Sequence, residues 1–379
     1  MATTKKVLFV ATITGHINAF HIPYLKLFKD KGYEVHVATG DDVQIANYCD
    51  KKIIMPIARS PYKISNIKAI RVLKENIMKE KYDIIHCHTP MGAVVTRLAA
   101  KKARKKYGTK VIYTAHGFHF YKGAPKKNWL LYYPVEWYLA KYTDTLITIN
   151  KNDYNFAKKK FIKRCLNIIY VPGVGLNFEK FNINVNENEK NSILKSLNLK
   201  KDAFILVFPA RLDKNKNQIF LINCMEKLIK VHKNIHLLLP GSDELNGYYQ
   251  NNVKERNLCS NIHFLGRRND IPELLKISNI SVSSSLREGL PVNVMEAFAC
   301  GLPVVALNCR GMEDLVENDI NGYVIDIRDN NNINDFANKI LYLYDNSTKI
   351  KEMGINNLKK VKNFSIDKIL KEFNHIYFN

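Results

Sequence analysis

Residues 287–305 read REGLPVNVMEAFACGLPVV, and this order of residues predicts a loop, a short helix and a buried strand. Pro291 suits the first helical turn, where a missing N–H has no intrahelical role, and Gly301 suits the position after the last turn. We therefore predict a helix from Pro291 to Cys300.

Two glutamates flank the start of this helix. Glu288 lies in the loop before it, and Glu296 lies about one and a half turns inside it. The amides of the first turn have no intrahelical partner and lie between the carboxylates, an arrangement that attracts an anion. The spacing alone is a weak signal, because a helix-end charge or a surface salt bridge explains either glutamate as well.

Short β-branched runs alternate with amphipathic helical stretches along both halves of the chain. The apolar runs extend from KVLFVAT to TLITIN in the first half and from AFILVFPA to GYVI in the second. This alternation is typical of parallel sheets with crossover helices. We predict an α/β protein of two doubly wound, Rossmann-like domains, with the polar segment 182–191 at the boundary and ligands in an interdomain cleft.

The charge of the chain is strongly asymmetric. Of the net charge of +23, residues 1–180 contribute 32 Lys and Arg against 12 Asp and Glu. A basic half favours anionic partners such as nucleic acid, acidic lipid surfaces and phosphorylated substrates. Alternatively, the lysines reflect an AT-rich genome and not a binding function, but genome composition alone does not explain why the charge is concentrated in one half.

The cysteines and the N-terminus indicate where the protein works. Seven scattered cysteines, odd in number, predict a reducing cytosol. The apolar run after Lys6 is short and lacks a cleavage site, so it predicts a first buried strand and not a signal peptide. Because no apolar run approaches the roughly 18 residues that a membrane span needs, we expect a cytoplasmic protein, peripheral at the inner face of the membrane.

A strand-to-helix loop in the second half carries two cations. Arg211 and Lys216 lie in ARLDKNKNQ, directly after the apolar run AFILVFP. An arginine fork and a lysine point charge can hold a phosphate chain from two sides without a metal. Taken alone, two such cations are more often an exposed, solvated pair.

The combination of this loop with the opening stretch resembles the donor-binding domain of family 4 glycosyltransferases, which have the GT-B fold. The resemblance extends over nearly the whole chain, which is similar in particular to bacterial capsular and exopolysaccharide glycosyltransferases. The segments that carry it are KKVLFVATITGHINAFHIPYLK, YDIIHCHTPMG, VIYTAHGFHFYKGAP, NDIPELL and SSLREGLPVNVMEAFACGLPVVA.

The resemblance implies roles at the donor. Arg211 and Lys216 would bind the diphosphate of a nucleotide sugar and stabilise it as it leaves. Glu288 would hydrogen-bond sugar hydroxyls, and Glu296 would hold the ribose hydroxyls. Transfer would retain the anomeric configuration, with front-face attack, no enzyme nucleophile, and neither a metal nor a further cofactor. By family frequency the donor would be a UDP-linked hexose or N-acetylhexosamine.

Backbone groups complete the implied donor site. Amides at Gly289, Leu290 and Val292 would face the diphosphate and the sugar, whereas Pro291 has no N–H to give. Arg267, in LGRRND, would lie near the base.

The first domain also carries residues that match the family. Gly15 matches its N-terminal glycine loop, where a missing side chain lets backbone approach phosphates. Here Thr14 precedes Gly15 and His16 follows it, in place of the usual paired glycines, so the side chain of His16 contributes. His116 would lie beside the transferred sugar.

The HCH sequence at 86–88 raises the possibility of a metal site. If the two alternating histidines of the strand point to opposite faces, they do not bind one metal ion together. On that reasoning no metal site is predicted, and His88 faces the ligand more than His86 does.

The basic half would receive the acceptor, as the first domain does in GT-B enzymes. We expect a polyprenyl-diphosphate-linked glycan at an anionic membrane surface, because a basic segment with an aromatic face is how a monotopic protein rests on a membrane. An ordinary core-facing helix is the alternative. The basic clusters are Lys101, Lys102, Arg104, Lys105, Lys106 and Lys158, Lys159, Lys160, Lys163, Arg164, and the apolar side chains between them are Trp129, Leu130, Tyr133, Trp137 and Tyr138.

The domain prediction is 1–180 for the acceptor side, 181–363 for nucleotide-sugar binding, and 364–379 for a helix that by resemblance crosses back to the first domain.

Three rival functions remain open. A nucleotide-sugar 2-epimerase of the same fold would bind the same donor, and an inactive scaffold would not need the intact Arg211, Lys216, Glu288 and Glu296. A basic nucleic-acid-binding protein is disfavoured, because neither a stacking motif nor a helix-turn-helix nor a zinc pattern is present.

Overall fold

The computed structural model describes residues 4–181 and 184–379. These residues form two compact units. Unit 1 comprises Met1–Gly175 together with Ile366–Asn379, and unit 2 comprises Leu176–Ser365. The division therefore falls between Gly175 and Leu176, and not between residues 180 and 181.

Unit 1 contains, over its described residues, a seven-stranded sheet in the order β3-β2-β1-β4-β5-β6-β7. Every neighbouring pair is parallel. The strands are β1 Lys6–Val10, β2 Glu34–Thr39, β3 Lys51–Ile54, β4 Ile84–His88, β5 Lys110–Ala115, β6 Thr145–Thr148 and β7 Asn167–Tyr170. Since the strand order reverses between β1 and β4, their carboxyl ends form the position where open α/β sheets bind ligands.

Helices cover both faces of this sheet. Because side chains alternate along β1, Val7 and Phe9 pack into the core on one face, and Leu8 and Val10 pack into the core on the other. The apolar run after Lys6 thus forms a buried strand, as predicted. The helices are α1 Thr14–Phe20, α2 Ile22–Asp30, α3 Ser65–Glu80, α4 Pro90–Ala99, α5 Lys101–Tyr107, α6 Lys126–Leu139, α7 Lys151–Phe161 and α15 Ile366–Phe378, with a 3-10 turn at Ala140–Tyr142.

The last helix, α15, packs on unit 1. Its residues Ile369 and Phe373 belong to the same core as Phe9. The Tyr377 hydroxyl lies 2.7 Å from His86 Nδ1, and Lys110 Nζ donates to the Ile376 carbonyl at 2.8 Å. The chain therefore returns to its first unit after it has completed the second.

Unit 2 contains, in its described part, a six-stranded parallel sheet in the order β10-β9-β8-β11-β12-β13. The strands are β8 Phe204–Val207, β9 Ile235–Pro240, β10 Ile262–Gly266, β11 Ile280–Ser283, β12 Val304–Leu307 and β13 Gly322–Ile325. The order reverses between β8 and β11, so their carboxyl ends form the equivalent ligand position. With two doubly wound parallel sheets, the predicted fold class is confirmed.

The helices of unit 2 include the helix of the opening stretch, which runs from Val292 to Ala299 and so agrees with the prediction to one residue at each end. The helices are α8 Glu187–Ser196, α9 Gln218–Val231, α10 Tyr248–Glu255, α11 Ile271–Ile277, α12 Val292–Ala299, α13 Asn332–Asp345 and α14 Ser347–Val361, with 3-10 turns at Phe178–Phe181 and Lys362–Phe364.

Two local features do not follow from the apolar pattern. Within the polar segment 182–191, Asn186 and Glu189 form a capping box that starts α8. The helical stretch after β1 is divided into α1 and α2, which meet at His21. None of the described helices is both long enough and apolar enough to span a bilayer.

Candidate functional site

In unit 2, the loop predicted to carry two cations meets the loop predicted to carry an acid, at the point where the strand order reverses. The loop after β8 carries Arg211 and Lys216, and the loop after β11 carries Glu288. Lys216 Nζ lies 2.6 Å from Glu288 Oε1, and their side chains are 17% and 14% exposed. This largely buried ion pair places one cation and one acid of the predicted site in direct contact.

A network of backbone contacts holds the two loops together. Asn215 Nδ2 donates to the Arg287 carbonyl at 3.0 Å, and the Leu286 amide donates to the Asn215 carbonyl at 2.8 Å. The Ser284 hydroxyl donates to the Lys216 carbonyl at 2.7 Å. The position of Lys216 relative to Glu288 is therefore fixed by the loops and does not depend on the ion pair alone.

Arg211 differs from Lys216 in its surroundings. Its guanidinium lies 3.1 Å from Asp213 Oδ2, and its side chain is 59% exposed. Two contacts hold the backbone of its loop in place. The Gln218 side chain donates from Nε2 to the Arg211 carbonyl at 2.7 Å, and Gly241 packs so closely that a Cβ there would lie 1.9 Å from the Ala210 carbonyl oxygen. The exposed guanidinium can turn towards a ligand while its backbone stays fixed.

Arg310 is a residue of this site that the sequence reasoning missed. It follows β12, is 7% exposed, and donates from Nε to the Glu288 carbonyl at 3.2 Å. It lies three residues after Leu307, the last residue of β12, and comes close to Glu288 because β12 pairs with β11, which no local sequence signal shows. Arg310 adds a buried positive charge beside the Lys216–Glu288 pair.

The amino end of α12 lies directly after this loop. Pro291 is its N-cap, no side chain among the described residues caps it, and its first turn contains no acidic residue. A Cβ on Gly311, whose φ is +83°, would lie 2.1 Å from the Gly289 carbonyl oxygen, so a second loop supports the backbone at Gly289 and Leu290. The amides of Gly289, Leu290 and Val292 are thus held in place, and no side-chain cap occupies the start of the helix.

Glu296 lies in α12 and is half-buried. Burial raises the pKa of its carboxyl from 4.5 to about 7, against a smaller opposing effect of Lys180. A buried carboxyl of this kind accepts hydrogen bonds strongly once a ligand brings hydroxyl donors to it.

Because the folded state disfavours ionised Glu296, this group destabilises the fold increasingly as pH rises from 4.5 towards 7, and the full cost is present above pH 7. We expect Glu296→Gln to stabilise unit 2 by about 2 to 3 kcal/mol more at pH 8 than at pH 5. Urea unfolding followed by circular dichroism at both pH values measures this. Glu255→Gln, at an exposed position on α10, is the matched control and should show no pH-dependent gain. An equal effect of Glu296→Gln at both pH values would contradict the burial of an ionisable carboxyl.

Arg267 is not among the residues that contact Lys216 or Glu288. It is exposed and directly follows β10, the strand at one edge of the sheet. The amide of Gly241 donates to the Gly266 carbonyl at 2.7 Å, so the Arg267 segment adjoins the loop that supports Ala210.

The strand reversal of unit 1 brings four histidines together, which we call the histidine cluster: His16, His21, His88 and His116. His16 Nε2 lies 3.2 Å from His21 Nε2 and 3.3 Å from His116 Nε2. His116 Nε2 lies 3.4 Å from His88 Nδ1. The sequence singled out three of these residues, and it missed His21, at the junction of α1 and α2.

The prediction that His86 and His88 point to opposite faces was wrong. Residues two positions apart on a strand share a face, and the two rings lie 4.1 Å apart between centroids. His86 is nevertheless outside the cluster, because Tyr377 and Thr114 hydroxyls bind its two ring nitrogens at 2.7 and 2.8 Å.

Burial keeps the histidine cluster uncharged. It lowers the pKa of His16 to about 4 and lowers the pKa values of His21, His88 and His116 well below 6.5. Neutral imidazoles offer both a donor and an acceptor, so the cluster can bind hydroxyl groups or a metal ion.

Gly15 lies in α1, beside His16. A Cβ there would come no closer than 4.0 Å to any other group, which is the side chain of Ile13, and the backbone does not need a positive φ. The fold itself therefore does not require glycine at this position.

Two family profiles match the chain, one in each unit. Residues 6–150 match the profile described as glycosyl transferase 4-like, and residues 189–360 match glycosyl transferases group 1. The putative glycosyltransferase EpsD of Bacillus subtilis is 41% identical over 99% of this chain and 96% of its own length. The chain belongs to glycosyltransferase family 4.

Further relatives of this family 4 glycosyltransferase are more distant. The UDP-Gal:α-D-GlcNAc-diphosphoundecaprenol α-1,3-galactosyltransferase of Escherichia coli is 27% identical over 93% of this chain and 91% of its own length. Anabaena HepE, solved in complex with UDP and glucose, superimposes with a TM-score of 0.78 at 19% identity, covering 98% of this chain and 99% of its own. The HepE likeness shows that the fold is GT-B.

Proposed function

We propose that this glycosyltransferase moves a hexose or N-acetylhexosamine, with retention, from a UDP-linked donor to a lipid-diphosphate-linked saccharide in surface polysaccharide synthesis. The observation that carries the proposal is the Lys216–Glu288 pair beside the uncapped amino end of α12. The E. coli relative, named for a UDP-galactose donor and a diphosphoundecaprenol acceptor, supports the choice of substrates.

The residues of the donor site are proposed to stabilise the leaving diphosphate. As the bond between the sugar C1 and the diphosphate oxygen breaks, negative charge develops on the diphosphate, and Lys216, Arg211 and the amides after Glu288 are positioned to stabilise it. An acceptor hydroxyl bonds to C1 on the same face, and its proton passes to the departing phosphate oxygen. In this scheme the cations and amides need neither a metal nor an enzyme nucleophile.

The two glutamates have separate roles in this proposal. Glu288 binds sugar hydroxyls while its ion-pair partner, Lys216, reaches the phosphate, and the half-buried Glu296 accepts hydrogen bonds from the ribose. A glycosidase would need both acids to flank the scissile bond, whereas here the α12 amino end lies between them in sequence and suits a phosphate.

Ligand-induced stabilisation tests the donor. We expect UDP-sugars, and not GDP- or ADP-sugars, to raise the melting temperature, by about 5 to 10 °C at a hundredfold excess over Kd. Product analysis after incubation then separates transfer, which releases UDP, from the 2-epimerase reaction, which yields a free epimer of the donor. Stabilisation by none of the nucleotide sugars would contradict the proposal.

Unit 1 is proposed to bind the acceptor, with Gly15, His16 and His88 near substrate and His116 acting on the transferred sugar. Its outer surface carries what we call the basic-aromatic patch, where the Arg164 guanidinium stacks 3.2 Å from the Trp137 ring centroid. Trp129 and Tyr133 instead pack against the core, so only part of the predicted aromatic face is available to a membrane. The patch comprises Trp137, Lys141, Lys159, Lys160, Ile162, Lys163 and Arg164.

We propose that this patch rests on an anionic membrane at the cytoplasmic face. Liposome flotation should therefore recover the protein with phosphatidylglycerol vesicles and not with neutral ones. Reversing three charges, Lys159→Glu, Lys160→Glu and Lys163→Glu, should weaken binding at least about a hundredfold. Lys195→Glu, Lys200→Glu and Lys201→Glu, exposed lysines of unit 2, change the net charge equally and should bind as wild type does. Equal, negligible flotation with both lipids would refute the membrane proposal.

A further inference from the structure

The ring nitrogens of the histidine cluster make more close contacts than their hydrogens and lone pairs can satisfy. His16 Nε2 contacts both His21 and His116, and His116 Nε2 contacts both His16 and His88. Each ring nitrogen of a neutral imidazole carries either one hydrogen or one lone pair. At most two of the three contacts can therefore be well-formed hydrogen bonds, and the cluster is incomplete as a network of neutral imidazoles alone.

The neighbours of the cluster do not complete it. Among the described residues, the ring nitrogens of His21 and His88 that take no part in the three contacts, Nδ1 of His21 and Nε2 of His88, are also buried without a hydrogen-bond partner, so no neighbouring group fixes the tautomer of either ring. By comparison, His86 on the same strand has hydroxyl partners at both nitrogens. The unsatisfied ring nitrogens are thus confined to members of the cluster.

A tetrahedral metal ion accounts for these three contact distances, and the His21 and His88 rings, which are stacked 3.8 Å apart between centroids, must separate for both to bind it. With metal–nitrogen distances near 2.0–2.1 Å, ligand nitrogens lie about 3.3–3.4 Å apart. The three contacts measure 3.2, 3.3 and 3.4 Å, and one nitrogen from each of the four histidines lies within 4.8 Å of every other. We propose that the histidine cluster binds one divalent transition-metal ion, for which zinc, a metal that favours imidazole ligands and four-fold coordination, is the first candidate.

The bound ion would tie together four segments of unit 1. His16 comes from α1, His21 from the junction with α2, His88 from the end of β4, and His116 from the loop after β5. Metal binding as such does not rest on the proposed function. One consequence does: because His16, His88 and His116 are proposed to serve substrate, zinc should inhibit sugar transfer.

Equilibrium dialysis tests metal binding directly. Protein without a polyhistidine tag is dialysed against zinc and analysed by atomic emission, and we expect about one zinc per chain. Co2+ in place of zinc should give the intense visible absorption of tetrahedral cobalt. A wild-type protein that binds neither ion, or whose cobalt spectrum is octahedral, would overturn the proposal.

Two histidine variants locate the ion. His21→Gln should weaken zinc binding at least about tenfold. His36→Gln is the matched control, since His36 is equally buried in unit 1 but belongs to a different group, with Glu34 and Glu80, which Lys6 and Lys51 neutralise. Loss of zinc in His36→Gln with full binding in His21→Gln would overturn the assignment. Zinc binding without inhibition of transfer would leave the metal site intact and contradict the substrate role of the cluster.

Discussion

Lys216→Ala is expected to lower kcat by about a hundredfold to a thousandfold, equivalent to about 2.7 to 4 kcal/mol of transition-state stabilisation. Lys216 is a fixed cation, held by its contact with Glu288 and by the loop bonds around it. Its charge is therefore already in place when the diphosphate leaves. Release of nucleotide from the donor found by thermal shift, in the presence of a polyprenyl-diphosphate-linked acceptor, measures the effect.

Controls separate this catalytic role from a structural one. Lys214→Ala removes an exposed lysine from the same loop and should keep wild-type activity. Lys216→Ala leaves Glu288 without its partner and should also lower the melting temperature, whereas Lys216→Ala combined with Glu288→Gln should recover stability without recovering activity. If the double variant regained turnover, Lys216 would serve the fold and not the diphosphate.

Arg97→Met should destabilise unit 1 by about 3 to 5 kcal/mol, which lowers its melting temperature by about 6 to 20 °C. Arg97 is 1% exposed, and its Nη1 lies 2.8 Å from Glu136 Oε2. Its guanidinium also stacks 4.4 Å from the Tyr113 ring centroid, and its Nε donates to the Ala93 carbonyl at 3.0 Å. The substitution keeps most of the volume but leaves the Glu136 carboxylate buried and unpaired.

Both tryptophans of the chain, Trp129 and Trp137, lie in α6 of unit 1, so tryptophan fluorescence follows the unfolding of that unit. Arg97→Met combined with Glu136→Leu removes both charges and should recover most of the loss. Lys26→Ala breaks an exposed pair with Asp30 and should leave the melting temperature nearly unchanged. If Arg97→Met cost as little as Lys26→Ala, the buried pair would not stabilise the unit.

The sequence predicted the sheet strands well because their apolar, β-branched runs are long and their loops are marked by turn residues. It missed the two edge strands of the first sheet: β3, where Lys51 and Lys52 hide the apolar pattern, and β7, which has only four residues. It also missed α13 and α14, where asparagine and lysine dilute the helical periodicity. In both cases the local sequence does not determine the secondary structure, and packing against the rest of the unit does.

The site was predictable in its parts but not in its contacts. Lys216 and Glu288 are 72 positions apart, and only the neighbouring positions of β8 and β11 bring them together. Arg310 was missed because a lone arginine after a strand carries no local signal. The histidine cluster was missed as a cluster because the side-chain period of a strand was misapplied to residues 86 and 88, and because His21 lies at the junction of two helices, which has no local sequence signal.

The position of α15 in unit 1 has a consequence for biosynthesis. A ribosome makes residues 176–365 before it makes Tyr377, whose hydroxyl is the partner of His86. Domains generally fold in order from the N-terminus as they emerge, but in this chain the second unit is fully translated while the first still lacks a piece of its core. The nascent N-terminal unit therefore exposes the apolar surface around Phe9 and Phe28 until residues 366–378 have been translated, and this surface is where we expect a chaperone to bind.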